Sequence, residues 1–295
     1  MKILFIVGTG RCGSSLIHEI MARHENTGFI SNIDDNLPFM NMVGRWNNRI
    51  FRSFPGKWTA KGGLRFAPSE AYNIIARKIS GIYSSPCRDL HESDVTPWLE
   101  KSFTTFFNMR YRAQGKLVFL HKYTGWSRIG FFSKIFPEAK FIHIVRDGRA
   151  VANSWLQMPW WNGYRGPENW LWGNLPQHYL DEWNASNKSF IRLAAINWKL
   201  LMESYECSSL SLPNTRYLQL RYEDFLENPH EQLKHLMDFA GLAWSGKFGA
   251  HLNKQPLNSN RKNAYLYDLS SDQLAELELS LHDKLVKYGY PVKSA

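Results

Sequence analysis

The sequence predicts an α/β protein in which helices flank a P-loop-like parallel β-sheet, with a mostly helical insertion. Short apolar runs rich in β-branched residues, such as 3–7 and 140–145, have the length and character of buried strands. Between such runs, apolar residues recur at helical spacing, as they do in 14–21. The first strand leads directly into a glycine-rich loop and a helix. Strands joined by helices favour a parallel sheet.

A chain of 295 residues has room for one domain with an insertion or for two domains. We predict one domain over 1–295, because two anion-binding elements that lie far apart in the sequence must meet at one ligand. Residues 39–115 form the predicted helical and loop insertion. Residues 155–185 form a tryptophan-rich segment, which holds six of the twelve tryptophans.

Each element has its own local signals, such as a proline at the start of 229–240 and a glycine just after its end. The predicted strands are 3–7, 27–30, 116–120, 140–145 and 217–220. The predicted helices begin at Ser14 and span 69–79, 96–113, 127–136, 150–156, 186–205, 229–240 and 271–288, and 245–265 is predicted to be a loop.

The composition narrows the class of partner and the compartment. A formal net charge of +10 suits an anionic ligand. The positive charges are scattered, so nucleic acid is not the expected partner. Three widely spaced cysteines suggest neither a disulfide framework nor a metal site. The first strand begins too early for a signal peptide and no apolar run has the length of a membrane span. We therefore expect a cytoplasmic protein.

The loop after the first strand predicts an anion site. A strand, a glycine-rich turn and a helix N-terminus together present free N–H groups and the positive end of the helix dipole. Ser14 stands where an ATP-binding loop has its lysine, which argues against ATP. Arg11 supplies the cation instead. The alternative is an ordinary strand-to-helix turn. The candidate binding residues are Gly10, Arg11, Cys12, Gly13, Ser14 and Ser15.

A second anion-binding element lies near mid-chain. Arg146 follows the predicted strand 140–145, and Ser154 lies about two helical turns later. A strand-end guanidinium and a helix hydroxyl at this spacing can hold one phosphate. The alternative is that Arg146 pairs with Asp147 as a solvated charge.

These motifs together resemble the sulfotransferases that use 3′-phosphoadenosine-5′-phosphosulfate (PAPS). In that family a loop like GTGRCGSSL holds the 5′-phosphosulfate, and an element like Arg146…Ser154 holds the 3′-phosphate. The tripeptide at 221–223 resembles the family's RYE segment, whose tyrosine, here Tyr222, lies near the nucleotide. The resemblance covers about 2–24 and 116–241.

The resemblance implies a reaction. A sulfuryl group passes from PAPS to a hydroxyl, or an amine, of a small metabolite, natural product or glycan, and adenosine 3′,5′-bisphosphate (PAP) is released. Arg11 is assigned to the bridging and leaving-group oxygens. Lys122, which follows the third predicted strand, is assigned to the transferred group, unless it is a solvated strand-end lysine. These cations make a metal unnecessary. Arg261 and Lys262 are expected to close over the 3′-phosphate, unless they belong to a solvated loop.

The general base is where this chain departs from the family pattern. Many relatives have a glutamate downstream of the loop arginine, but here Asn32 falls nearest that position. Asp34 and Asp35 are the natural substitutes, because two neighbouring carboxylates raise the pKa of one of them. The alternative is that they cap a turn. His121 is a second candidate, unless it is a satisfied strand-end histidine.

The tryptophan-rich segment 155–185 is the expected wall of an acceptor pocket, or else part of the core. A small molecule or a glycan is therefore the expected acceptor, and the sequence leaves the oligomeric state open. Two other functions remain possible at this stage. One is a P-loop nucleotide kinase or nucleotidase, and the other is a non-catalytic nucleotide- or RNA-binding protein.

Overall fold

A single parallel sheet organises the structure, a computed structural model that describes residues 1–37, 42–53, 66–252 and 262–292. Its five strands lie in the order β2-β3-β1-β4-β5, and every pair is parallel. The strands are β1 Ile3–Val7, β2 Thr27–Gly28, β3 Val118–Lys122, β4 Lys140–Val145 and β5 Tyr217–Arg221. The predicted α/β class with a parallel sheet is confirmed.

The central strand β1 explains the position of the crevice. Its five residues are all buried, as expected for a strand covered by helices on both faces. From β1 the chain first builds the side of the sheet with β2 and β3, and later the side with β4 and β5. Such a reversal of direction opens a crevice at the carboxyl ends of the strands, where ligands bind. The glycine-rich loop follows β1 at this point.

Helices cover both faces of the sheet. They are α1 Ser14–Ala22, α2 Asn32–Asn36, α3 Asn47–Ser53, α4 Tyr72–Lys78, α5 Pro97–Gln114, α6 Ile129–Ile135, α7 Gly148–Leu156, α8 Gln177–Ala185, α9 Phe190–Ser209, α10 Tyr222–Glu227, α11 Pro229–Ala240, α12 Gly246–Leu252, α13 Tyr265–Asp268 and α14 Ser271–Lys287. No helix within the described ranges is long and apolar enough to cross a lipid bilayer.

Alternate residues of the strands face two different cores. Phe5 and Phe119 point to one face, where they pack with apolar residues of α5 and α6. Leu4 and Leu120 point to the other face, where α1 and α11 cover them. One step along β3 therefore moves a side chain from one face to the other, which decides where the polar residues at the end of this strand lie.

Several predicted boundaries are wrong. The third strand ends at Lys122 and not at Leu120, so two candidate site residues lie within it. The predicted loop 245–265 contains α12, α13 begins at its last residue, and α8 was not predicted. These helices are short or rich in polar residues, and α8 buries only Tyr179 and Trp183. One apolar pair per helix is a weak periodic signal.

The described part of 39–115 is made of helices and connecting loops, including α3, α4 and α5. These helices pack on the sheet: Phe51 of α3 joins the core on one face, and Phe103 of α5 joins the core on the other. The division of the chain into one domain with an insertion stays a prediction.

Candidate active site

The glycine-rich loop forms an open cradle at the N-terminus of α1. Three of its residues have left-handed backbone angles: φ is 87° at Gly10, 55° at Arg11 and 91° at Gly13. Gly13 is the N-cap of α1, and no described side chain caps it. The first N–H groups of the helix are thus left for a ligand, and the helix dipole favours an anion there.

The ring of Tyr222 lies directly against this loop. A Cβ atom added at Gly13 would lie 2.2 Å from Cδ2 of the ring, so only glycine fits at this position. The guanidinium carbon of Arg146 lies over the same ring, 5.2 Å from the ring centroid. The start of α10 therefore joins the loop to the end of β4.

The two anion-binding elements meet at Arg11. Nε of Arg11 donates a hydrogen bond of 2.8 Å to Oγ of Ser154 on α7. Nη1 of Arg146 donates one of 2.9 Å to the carbonyl oxygen of Arg11. Two segments separated by more than a hundred residues thus form one polar cluster.

A cavity of about 740 Å³ opens beside the cradle, and Arg11, Ser14, Ser15, Lys122 and Arg146 all line it. A recess of about 60 Å³ adjoins it on the α7 side. Arg11, Arg146 and Ser154 line this recess. Since both arginines line both spaces, the cations stand at the junction between the two.

Lys122 connects the cradle to the far wall of the cavity. Its Nζ donates to Oγ of Ser15 at 2.7 Å and pairs with Oε1 of Glu70 at 2.5 Å. Thr124 donates a further hydrogen bond of 3.3 Å to the same carboxylate oxygen. Burial by itself would lower the pKa of Lys122, but the Glu70 carboxylate more than offsets it and the pKa is raised. Lys122 therefore carries a full positive charge next to the cradle.

Comparison with known proteins shows to which family a chain with this arrangement belongs. The profile of the sulfotransferase family matches residues 4–246, which include the cradle, Arg146, Ser154 and the segment of Tyr222. The chain belongs to the sulfotransferase family.

The similarity to individual relatives covers nearly the whole chain. The sulfotransferase is 26% identical to the omega-hydroxy-beta-dihydromenaquinone-9 sulfotransferase of Mycobacterium bovis, in an alignment that covers 97% of this chain and 75% of the relative. The sulfotransferase domain of the olefin synthase of Synechococcus PCC 7002 has 16% identity and a TM-score of 0.56, with 99% and 96% of the two chains covered. Sulfotransferase STF9 of Mycobacterium avium has 14% identity and a TM-score of 0.56, with 100% and 78% covered. These two structures share its fold.

The acidic wall of the sulfotransferase cavity differs from the prediction. Glu70 was not predicted as a site residue, although it lies on the cavity wall and pairs with Lys122. The sequence placed it in the first turn of a helix over 69–79, where a glutamate is unremarkable. That helix begins at Tyr72 instead, and Glu70 lies in the preceding turn. A lone glutamate before a helix carries no pattern that indicates an active site.

Asp34 and Asp35 both have structural partners. Oδ2 of Asp34 accepts hydrogen bonds from the backbone N–H of Ser31 at 2.9 Å and from Asn47, so it completes the N-terminal cap of α2. Oδ1 of Asp35 accepts from the N–H of Ile74 at 2.8 Å, and its Oδ2 accepts from Ser69 at 3.0 Å. Asp35 lines the cavity, whereas Asp34 is absent from the described lining residues. The alternative in which the aspartates cap a turn therefore fits Asp34, and we do not propose Asp34 as the base.

His121 lies on the opposite face of the sheet from Lys122. It is fully buried among Phe5, Phe107 and Tyr83, and its Nε2 lies 2.8 Å from the hydroxyl of Tyr83. Burial, followed by the nearby charge of Lys122, lowers the pKa of His121 to about 3. Since β3 runs two residues further than predicted, His121 points into the core and does not end the strand. This placement favours a buried core histidine over a base.

His18 is a second residue that the sequence did not indicate. It lies on α1 one turn after Ser14, lines the cavity and is 1% exposed. Within the described ranges, neither of its ring nitrogens has a hydrogen-bond partner. Burial lowers its pKa well below the usual value, and the charge of Lys122 adds to this effect. His18 is therefore a neutral imidazole on the wall of the cavity.

The remaining predicted residues fall in different places. Cys12 is fully buried beneath the loop, where it packs in the core on the α1 side. Lys262 pairs with Glu227 on α10 at 2.5 Å, and it is absent from the described lining of the cavity and of the recess. Arg261 lies outside the described residues. The closing of 261–262 over a phosphate stays a prediction.

The tryptophan-rich segment divides between the two roles that the sequence left open. Trp155, Trp160 and Trp172 line the cavity. Trp155 is also part of the core between α7, α9 and α14, where the other three, Trp161, Trp170 and Trp183, are buried. The segment thus contributes aromatic residues both to the cavity wall and to the hydrophobic core.

Proposed function

We propose that this sulfotransferase uses PAPS as its donor and transfers the sulfuryl group to a hydroxyl, or an amine, of a small metabolite, natural product or glycan. The observation that carries the proposal is the contact of Arg11 with both Ser154 and Arg146 beside the cradle. A donor with a phosphate at each end of the ribose needs two separate cationic sites a short distance apart. These residues supply both.

In this proposal each end of the donor has its own ligands. The 5′-phosphosulfate lies on the first N–H groups of α1 and on the hydroxyls of Ser14 and Ser15. The 3′-phosphate lies at the recess, between the Arg146 guanidinium and the Ser154 hydroxyl. Tyr222 holds the loop and Arg146 at a fixed separation. Arg11 and Lys122 stabilise the negative charge that develops on the leaving phosphate and on the sulfuryl oxygens.

The cavity wall supports an acceptor with an apolar or ring-shaped face. Trp155, Trp160 and Trp172 line it together with Leu171 and Tyr72. Aromatic faces bind rings and alkyl chains alike. The Mycobacterium bovis relative is named as the sulfotransferase of a hydroxylated menaquinone, a molecule with a long apolar chain. We propose the same broad class, an alcohol or phenol on an apolar body, for this chain.

We also propose that the enzyme acts in the cytoplasm. Its three cysteines are unpaired, and two of them, Cys87 and Cys207, are exposed. Exposed free thiols fit a reducing compartment.

A transfer assay tests the proposed donor. The purified protein is incubated with ³⁵S-labelled PAPS and 4-nitrophenol, and labelled aryl sulfate and PAP are separated by chromatography. We expect both products in equal amounts, with no requirement for ATP. Label transfer from ATP with PAPS left intact would favour the kinase alternative, and salt-sensitive RNA binding without turnover would favour the RNA-binding alternative.

A further inference from the structure

The Glu70 carboxylate on the cavity wall pairs with a lysine that also contacts the cradle. Oε1 of Glu70 lies 2.5 Å from Nζ of Lys122, and the same ammonium group donates to Ser15 in the first turn of the cradle. The Glu70 side chain is 25% exposed, so an acceptor in the cavity can reach it. A single lysine therefore separates this carboxylate from the hydroxyl at which we place the donor's 5′-phosphate.

The other proton acceptors on the wall are less suited to this role. Both oxygens of Asp35 already accept hydrogen bonds, from Ile74 and Ser69. Burial, and after it the charge of Lys122, holds the pKa of His18 well below its usual value, so a proton there would be a second buried positive charge near Lys122. By contrast, a proton taken up by Glu70 creates no second buried positive charge, and the Glu70 side chain is partly exposed to the cavity.

We propose that Glu70 is the general base of the sulfuryl transfer and takes over the role for which the sequence suggested Asp34 and Asp35. The inference rests on the proposed function, since it needs PAPS as donor and a hydroxyl acceptor. Glu70 and Lys122 then act as a pair beside the reacting atoms.

In this step one bond to sulfur forms and one breaks. The acceptor hydroxyl gives its proton to the Glu70 carboxylate while its oxygen forms a bond to sulfur. The bond between sulfur and the bridging oxygen of the donor breaks, and PAP leaves with the electron pair. When Glu70 becomes neutral, Lys122 loses its counter-charge. Its full positive charge is then available to the sulfuryl oxygens and the leaving phosphate at the moment when they become more negative.

The test compares two acceptors that differ in their need for a base. Phenol is protonated at neutral pH, whereas 4-nitrophenol is largely ionised at slightly alkaline pH. The variants are Glu70→Gln and, as matched control, Glu100→Gln, which removes one negative charge at an exposed position of α5 and leaves the Glu70–Lys122 pair intact. PAP release from PAPS gives the rate with each acceptor, and calorimetric titration gives the affinity for PAP.

We expect Glu70→Gln to lower kcat with phenol by about 100-fold or more, the usual contribution of a general base. With 4-nitrophenol the loss stays below about tenfold, because this acceptor brings no proton to be removed. The affinity of Glu70→Gln for PAP equals or exceeds that of the wild type, since a carboxylate near the phosphate is gone. Glu100→Gln behaves as the wild type in all three measurements.

Three results would overturn the proposal. An equal loss with both acceptors would make Glu70 a positioning residue that acts through Lys122. An acceptor-dependent loss in His18→Asn and not in Glu70→Gln would make His18 the base. A wild-type protein that binds PAP yet releases none from PAPS with either phenol would also refute it. A failure of the proposed donor looks different, because the wild type would then not bind PAP at all.

Discussion

The two ends of the large cavity are built in different ways. The donor end consists of backbone groups and of serine and arginine side chains, which lie at the carboxyl ends of β1 and β4 and on α1 and α7. The acceptor end consists of side chains from the turn before α4, from the end of β3 and from the tryptophan-rich segment. Lys122 contacts both ends, with Ser15 on one side and Glu70 on the other.

The donor end is built from features of the fold itself, whereas the acceptor end is built from segments that can vary within the same fold. Strand ends and helix N-termini recur in any parallel sheet, so the donor end follows from the architecture. The acceptor end depends on connecting segments, which change readily without altering the sheet. Substitutions at the donor end should therefore impair binding of PAP, and those at the acceptor end should impair turnover or acceptor affinity alone.

The largest expected effect is at the residue that joins the two ends. Lys122→Met removes the positive charge and leaves Glu70 without its partner, so kcat for PAPS-dependent sulfation of 4-nitrophenol should fall about 10²- to 10³-fold. Lys134→Met, at an exposed lysine of α6, serves as the control and should retain the wild-type rate. Equal rates in both variants would show that Lys122 takes no part in the reaction.

Gly13→Ala tests the rigid donor end. The new Cβ would overlap the ring of Tyr222, and φ at this residue is 91°. Gly115→Ala is the matched control, since Gly115 has φ 59° with no heavy atom within 4 Å of the added Cβ. We expect the control to lose about 1–2 kcal/mol of unfolding free energy from backbone strain alone. Gly13→Ala should lose about 1–3 kcal/mol more from overpacking, together with PAP binding. Urea unfolding and calorimetric titration measure the two quantities.

Acid should weaken the core behind the acceptor end. Burial lowers the pKa values of His121 and His143 to about 3, from 6.5 in the unfolded chain. Below pH 6.5 the unfolded chain takes up protons that the folded protein cannot, so stability is lost as the pH falls from 6.5 toward 3. Each histidine contributes up to about 1.4 kcal/mol per pH unit.

Unfolding by urea at several pH values measures this slope. His121→Gln should reduce it, whereas a substitution at His282, which is exposed on α14, should leave it unchanged. A slope that does not differ between His121→Gln and the wild type would contradict the buried, neutral state of this histidine.

The smallest expected effect is on the aromatic wall. Trp172 packs against Gly125 and lies edge-to-face with Trp126, with 6.4 Å between the ring centroids. Trp172→Ala should raise KM for 4-nitrophenol by up to about tenfold, the value of one good aromatic contact, with PAP affinity unchanged. Trp98→Ala, at an exposed tryptophan of α5, is the control. A loss of PAP affinity in Trp172→Ala would show that the two ends are not separate.

The same difference explains which features the sequence could predict. The cradle, Arg146 and Ser154 lie in short contiguous motifs next to strands, and local pattern is enough to find them. Glu70 and His18 reach the cavity only through tertiary packing. Glu70 depends on where α4 begins, and His18 looks like one more residue on the buried side of α1. The sequence ended β3 two residues too early. The alternation of side chains along a strand, which places His121 and Lys122 on opposite faces, was therefore not applied to them.

The most direct test of the account is whether one ligand with two phosphates engages both cationic elements. Calorimetric titration compares PAP with adenosine 5′-monophosphate, which lacks the 3′-phosphate, on the wild type and on Arg146→Ala. We predict that the wild type binds PAP tighter by about tenfold or more, as expected for hydrogen bonds to a charged group, and that Arg146→Ala binds the two nucleotides equally. Equal affinities on the wild type, or an undiminished preference for PAP in Arg146→Ala, would contradict it.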